Sequence, residues 1–289
     1  MKRNKPVNPT GRLAFVRKGL PPDFWADLYH VFIKITWPRL MAFFVLTYVG
    51  ANLLFAGLYL LQDEALSGVR PGSFPDAFFF SVQTMATIGY GKITPITTYA
   101  NMLATAEAFI GLMGFAMATG MMFAKFSRPS ARVMFAEKAL MTRYEGHPAF
   151  QFRMGNARGN QIVEAGLTAV VLKNEVTAEG IAMRRMYDIH FVRNNTPVFA
   201  LTWMVTHIID EKSPFQGETH ETLAAKDAEV FVVISGIDET ISQNVHARHS
   251  YFMKDQVEWN RRYADVFGKL PDGTREIDFT KFHETLPLA

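Results

Sequence analysis

The chain has 289 residues, 49% of them apolar and 20% charged, with a formal net charge of +3 and no cysteine. That length suits one or two globular domains, the charge balance is too even for a nucleic-acid-binding stripe, and the lack of cysteine agrees with a reducing compartment. The apolar residues are concentrated early in the chain.

Lys2 to Lys18 is basic, but the first long apolar run begins about twenty residues later, so no cleaved secretory signal is expected. Pro21-Pro22-Asp23 leads into Phe24, Trp25, Leu28, Phe32 and Ile35 at helical spacing, with Asp27, His30 and Lys34 on other faces and Asp23 as N-cap. Such a helix lies along a membrane surface with its aromatic side in the headgroups, or packs on a soluble domain. Trp37-Pro38-Arg39 then turns the chain inward, Trp and Arg both suiting an interface.

From Leu40 to Leu61 no side chain is charged, and these 22 residues are enough to cross a hydrocarbon core of about 30 Å. Phe74 to Ala86 is apolar and aromatic but too short to cross; Gly72-Ser73 precede it, and Pro75 and Asp76 suit the first turn of a helix. Next comes Thr87-Ile88-Gly89-Tyr90-Gly91, then a second span from about Asn101 to Ala124, interrupted only by Glu107. Five letters alone fit a glycine turn equally well. In the order span, short helix, TIGYG, span they point to a pore loop, since irregular backbone at membrane depth survives only where it lines a water-filled path. A potassium pore must replace the ion's water with carbonyl oxygens that all point inward. Ordinary strands alternate their carbonyls, so such a run needs residues that accept positive φ, as Gly89 and Gly91 do. Thr87 adds a hydroxyl at the inner end, and the Tyr90 ring can pack outward as a strut. This makes Thr87, Ile88, Gly89 and Tyr90 the candidate K+ ligands, with Gly91 completing the filter. One chain gives one wall, so four are required.

Lys34 and Arg39 flank the first span and Lys125, Arg128 and Arg132 follow the second, whereas only Arg70 and Lys92 lie between them. Both termini are therefore expected in the cytoplasm. Glu107 is expected to be buried and hydrogen-bonded behind the short helix, with a pore-facing site as the alternative.

Beyond Arg128-Pro129 the composition is that of a soluble domain. Phe199 to Thr206 alternates as a half-buried strand should, with similar runs at Thr168 to Leu172, Asp188 to Val192 and Glu229 to Ile234. Turn signals such as Asn194-Asn195-Thr196-Pro197 and Lys212-Ser213-Pro214 separate them, which predicts a β-sandwich. No G-x-G-x-x-G nucleotide fingerprint follows a strand. His246 and His249 are not expected to share a metal, and Ser213 has no evident base. Protonation of His30, His147 or His207 is a candidate source of pH sensitivity.

Several segments together are specific: Ser81 to Gly91, Ala124-Lys125-Phe126-Ser127-Arg128-Pro129, Arg153 to Arg158, Ile209 to Pro214, Ala247 to Tyr251, and Asp278 to His283. On these the chain resembles the bacterial inward-rectifier potassium channels of the KirBac family over nearly its whole length. The resemblance implies an α+β membrane protein: two transmembrane helices with a re-entrant pore helix and filter, and a C-terminal immunoglobulin-like β-sandwich in the cytoplasm. It implies a homotetramer in the bacterial inner membrane, K+ as permeant ion, no other cofactor, and no catalysis. The corresponding divisions are residues 1–37 as N-terminus with a slide helix, 38–128 as pore domain and 129–289 as cytoplasmic domain.

The resemblance also implies roles. Phe123 falls at the constriction where inner helices cross, Gly120 at a bend above it, and Phe115 at the position that is acidic in strong rectifiers. Phe115, Thr119 and Phe123 recur every fourth residue, along one stripe about 12 Å long; four Phe123 rings would close a path by excluding water, unless they face lipid or neighbouring helices. Gly111, Gly114 and Gly120 fit helix packing as well as hinging. Lys125, Arg128 and Arg39 correspond to residues that touch anionic lipids such as phosphoinositides, for which the bacterial members suggest inhibition, or they simply set topology. Glu164 and Glu239 correspond to vestibule acids that meet polyamine or Mg2+, with a solvated surface carboxylate as the alternative; Ile241 to His246 matches a loop narrowing the cytoplasmic path. Two departures stand out: Gln83 replaces an acid common in relatives, and Lys92 follows the filter directly, so four ammonium groups would oppose cation entry, subject to screening by salt. The alternative from another class is a non-conducting, membrane-anchored sensor built on the same scaffold.

Overall fold

The computed structural model describes residues 31–288, and the greater part of the expected surface helix, with Asp23 and His30, lies outside them. The described residues fall into two compact units divided between Arg128 and Pro129.

In the first unit residues 31–34 are helical, and α1 runs Trp37–Tyr59 with Pro38 in its first turn, where a missing amide costs nothing. The short α2, Phe74–Met85, is capped by Ser73, whose Oγ accepts from the Asp76 amide at 3.4 Å. Thr97 caps α3, Thr98–Phe126, by accepting from Ala100 at 3.1 Å. At about 1.5 Å per residue the 23 residues of α1 and 29 of α3 each exceed a hydrocarbon core of about 30 Å, while the 12 of α2 do not. These are the two membrane-spanning helices and the re-entrant helix between them. Val45, Leu46, Leu54, Phe109 and Leu112 project from α1 and α3 without protein cover, as apolar residues of a membrane span do. Inside, Phe55, Tyr59, Ala77, Phe80, Met85 and Ala100 pack the three helices together. A two-residue ladder, β1 (Leu66–Ser67) against β2 (Thr94–Pro95), joins the loops on either side of α2 and the TIGYG segment.

The second unit is a β-sandwich. Its central strands are β5 (His147–Asn156), β6 (Ile162–Val176) and β10 (Glu229–Asp238), flanked by β3 (Val133–Phe135), β4 (Ala139–Tyr144), β7 (Ala182–Ile189), β8 (Asn195–Phe199), β9 (Thr202–Ile208), β11 (Gln243–Phe252) and β12 (Val257–Trp259). One sheet has the order β11-β10-β6-β7, with β8 also on β6; the other has β12-β4-β5-β3, with β9 also on β5. Phe150, Phe152, Val171, Val205, Val230, Val232 and Tyr251 fill the space between the sheets, as alternation along each strand requires. Three expectations change here. Phe199 to Thr206 is not one strand but the end of β8 and most of β9, and Asn195-Thr196-Pro197 is not a turn but the start of β8. The ladder between β6 and β8 passes from Val163/Val198 to Ala165/Thr196, so Pro197, which has no amide to donate, falls opposite the bulged Glu164 at φ +51°. The strand expected at Asp188 to Val192 ends at Ile189.

Arg153 is buried, and among the described residues it forms no ion pair. Its Nη2 donates to the Ala264 carbonyl at 2.5 Å and Nη1 to that of Phe282 at 3.4 Å, and the guanidinium lies 4.6 Å from the Tyr263 ring, tying the C-terminal segment to β5. His207 is buried too, with Nδ1 2.6 Å from the His190 carbonyl and Nε2 2.7 Å from Ser213 Oγ. Nδ1 must donate to that carbonyl, so Nε2 accepts from the serine. Ser213 thus does have a histidine beside it, contrary to the sequence reading. The pair is enclosed and its bonds are spent on the fold, with Ser213 Oγ also accepting from the Phe215 amide at 3.2 Å.

Burial pushes the His207 imidazole below its ordinary pKa. The unfolded chain therefore takes up a proton first, and the stability this site contributes is present above the ordinary imidazole range and lost as pH falls through it. Wild type is expected to lose up to about 1.4 kcal/mol more per pH unit on the acid side than His207→Gln, read from melting temperature against pH; parallel curves would count against it.

Candidate functional site

The C-terminal end of α2 leads directly into the TIGYG segment. Ala86 and Thr87 donate to the carbonyls of Val82 and Thr84, and the amides of Ile88 and Gly89 both turn back to the Gln83 carbonyl, at 2.8 and 3.4 Å. Left-handed φ then recurs at every second residue: +56° at Thr87, +58° at Gly89 and +77° at Gly91. In an ordinary strand successive carbonyls point to opposite sides; alternating handedness turns the intervening peptides so that carbonyls gather on one side. Glycine does this freely, whereas Thr87 bears the cost of a left-handed β-branched residue. Among the described residues no hydrogen bond ends on a carbonyl of residues 87–91. The segment is thus a run of bare oxygens with its first amides anchored behind. The segment also starts at the C-terminal end of α2, where the helix macrodipole leaves roughly half a negative charge that favours a cation.

The other end of α2 is fixed by charge. The Arg70 side chain grips Asp76 with Nε and Nη2 at 3.0 Å each, and its amide donates to the same carboxylate at 3.0 Å. This pair was not foreseen. Gln83 acts through its main chain, and Lys92, after the segment, is exposed and without an ion-pair partner among the described residues. Its carbonyl sits where a Cβ on Gly68 would be, and Gly68 has φ +78°.

Behind the segment α3 presses against α2. A Cβ on Gly111 would collide with the Met85 carbonyl and lie 2.9 Å from its Cγ, so Gly111 is a packing glycine. Nothing stands within 4 Å of a Cβ on Gly114 or Gly120. Phe115 and Phe123 are 76% and 71% exposed, so neither ring is packed inside its own chain. Glu107 points the other way, fully enclosed between the helices, where it contacts Ser81 on α2 and the Tyr59 hydroxyl on α1 at 2.7 Å. The pore-facing alternative does not hold for it. Asn52, also enclosed, joins this cluster, and no sequence pattern flagged it.

Of the candidate lipid contacts, Arg39 and Arg128 are exposed. Lys125 is engaged: its ammonium donates to the carbonyls of Ile33 (2.8 Å) and Ile35 (2.5 Å) and lies 5.6 Å from the Trp37 ring, joining the end of α3 to the segment before α1. Glu164 and Glu239 are exposed at one end of the β6–β10 pair, the Glu239 amide donating to the Gln161 carbonyl at 3.1 Å. His246 and His249 sit three apart on β11, and no cluster of three potential metal ligands exists among the described residues.

Comparison with known proteins agrees in kind. A family model for the inward rectifier potassium channel C-terminal domain matches residues 133–289, and an ion channel model matches residues 40–128. The chain is 43% identical over 279 residues to the inward rectifier potassium channel Kirbac3.1 of Paramagnetospirillum magnetotacticum, covering 96% of this chain and 94% of that one. It is 31% identical to the G protein-activated inward rectifier potassium channel 3 of Mus musculus, covering 92% and 72%. Against the G protein-activated inward rectifier potassium channel 1 of Gallus gallus it is 29% identical, spanning 99% of this chain but 63% of the relative's length.

The contrast between the glycines is testable. Gly111→Ala is expected to cost about 1–3 kcal/mol through overpacking against Met85, and Gly114→Ala to stay within about 0.5 kcal/mol, measured by thermal denaturation in detergent. Equal effects would contradict the assigned packing.

Proposed function

The chain belongs to the inward-rectifier potassium channel family, and from that premise we propose that four copies surround one pore through which K+ diffuses passively in single file. The observation that carries this reading is the alternation of handedness at Thr87, Gly89 and Gly91, which leaves adjacent carbonyls bare and gathered on one side. Four such walls replace the ion's hydration shell with oxygens of Thr87, Ile88, Gly89 and Tyr90. A channel makes and breaks no bond, so the permeant ion is its only required ligand.

The gate in this proposal is the Phe123 ring, with Phe115 above it on the same stripe and Gly120 as the bend. Their support is that both rings stand free of their own chain and that a Cβ on Gly120 would meet nothing within 4 Å. Dewetting by four rings closes the path without any charge. With Phe115 in place of an acid, block by polyamine or Mg2+ falls to Glu164 and Glu239 in the cytoplasmic part of the path, and rectification is weak to moderate.

Arg39 and Arg128 meet anionic headgroups such as phosphoinositides at the inner face of the bacterial membrane, with both termini cytoplasmic. Lys125 joins them only by giving up the carbonyls of Ile33 and Ile35, so lipid binding competes with a contact inside the chain. That competition offers a route by which lipid shifts the inner helix.

Purified protein in liposomes under a potassium gradient is expected to pass K+ far faster than Na+, with block by barium. Lys92→Asp should raise K+ flux at low ionic strength and lose that advantage at high salt, where the Debye length falls to about 3 Å at 1 M. Phe123→Ala should raise resting flux. Absence of K+-selective flux across pH, lipid composition and the Phe123→Ala variant would favour a sensor without transport.

A further inference from the structure

Three helices meet around one carboxyl group. Glu107 on α3, Ser81 on α2 and Asn52 on α1 are all fully enclosed. Asn52 and Tyr59 are seven residues apart, two helical turns, and so present the same face of α1 to Glu107 and Ser81. The contacts form a chain. Tyr59 OH lies 2.7 Å from Glu107 Oε2, Glu107 Oε1 abuts Ser81 Oγ, and Ser81 Oγ lies 3.0 Å from Asn52 Oδ1. Asn52 Nδ2 reaches the Tyr48 carbonyl at 2.7 Å and Met85 Sδ at 3.5 Å.

Counting donors settles where the protons are. A carbonyl and a thioether only accept, so the nitrogen of Asn52 must face Tyr48 and Met85, and its oxygen must face Ser81. That oxygen needs a donor, and the Ser81 hydroxyl is the group facing it. A hydroxyl has one proton. Once it is given to Asn52, Ser81 Oγ meets Glu107 Oε1 as an acceptor, and their close contact is a bond only if the carboxyl carries the hydrogen. With an ionised Glu107 the serine would turn to the carboxylate, leaving two bare oxygens 3.0 Å apart and a charge without a cation. Among the described residues Glu107 has no ion-pair partner. The titratable group facing it is Tyr59 on α1; α2 presents Ser81, and the neighbouring turns of α3 present none.

We propose that Glu107 is a protonated carboxylic acid that heads a one-way chain of hydrogen bonds, Glu107 to Ser81 to Asn52 to Met85, and so acts as a positioning residue for the end of α2 from which the TIGYG segment hangs. The chain ends on Met85, whose carbonyl also rests against Gly111. Ionisation reverses Ser81, frees Asn52 and loosens that end. The positioning role rests on residues 87–91 lining the pore; the protonation state does not.

The test uses the full-length protein in liposomes and pairs two readings. Infrared difference spectroscopy between wild type and Glu107→Gln should show loss of a protonated-carboxyl stretch that shifts in deuterium oxide. Glutamine copies the neutral acid, accepting from Tyr59 and donating to Ser81, so its K+ flux should stay near wild type while flux loss at alkaline pH disappears. Glu107→Leu, which leaves Ser81 and Tyr59 unpaired, should lose about tenfold or more. If Glu107→Gln does not assemble, Ser81→Ala serves: removing the acceptor must move the carboxyl band. No protonated-carboxyl band, an unmoved band in Ser81→Ala, or a tenfold loss in an assembled Glu107→Gln would overturn the proposal. Wild-type protein with the band but no selective flux would instead sink the pore reading.

Discussion

A backbone that keeps its carbonyls bare at membrane depth must be held by its other side. In this chain the holding is done by α2: the Gln83 carbonyl takes the amides of Ile88 and Gly89, and the alternation of φ at residues 87, 89 and 91 sends the oxygens the other way. Bare carbonyls in hydrocarbon would each cost several kcal/mol. The geometry is therefore tenable only where water and ions reach those oxygens, and most of the membrane unit can be understood as keeping α2 in place. Arg70 and Asp76 pin its N-terminal end, and Gly111 and Met85 pin its C-terminal end. Glu107, Ser81 and Asn52 lock its flank to both spans.

The β-sandwich has a different economy. Its core is aromatic and branched aliphatic, and several of its enclosed or half-buried charged groups have specific partners. Glu218 is an example: burial alone would raise its pKa, but hydrogen bonds from Lys226, Thr222 and Lys173 outweigh that and hold it at about 2. Arg153 is matched by carbonyls and rings, with no ion pair among the described residues. Glu164 and Glu239 lie exposed on the surface of this unit.

The spans and the pore loop were legible in the sequence because they depend on properties a linear reading captures: length against bilayer thickness, and the order span, short helix, TIGYG, span. The two-sheet architecture was legible from alternation. What failed was local. Pro197 looked like a turn because its partner, the bulge at Glu164, lies on a strand more than thirty residues earlier, and no window of sequence joins the two. Asn52 and Ser81 were invisible for the same reason, since one asparagine in an apolar span and one serine in an apolar helix acquire meaning only when the helices bring them to Glu107. Lys125 looked like a free lipid contact because nothing in its neighbourhood reveals the carbonyls of Ile33 and Ile35 as competitors. Residues before Val31 lie outside the described structure, so the surface helix stands as the sequence left it.

The claim on which all of this turns is that the carbonyls of residues 87–91 face a path that K+ occupies. Crystals of the full-length protein grown in rubidium or thallium salts would test it directly by anomalous scattering. Sites spaced along an axis beside the carbonyls of Thr87, Ile88, Gly89 and Tyr90 are the predicted result. An assembled, well-ordered protein with those oxygens turned away from the axis, or with no heavy cation beside them, would contradict it.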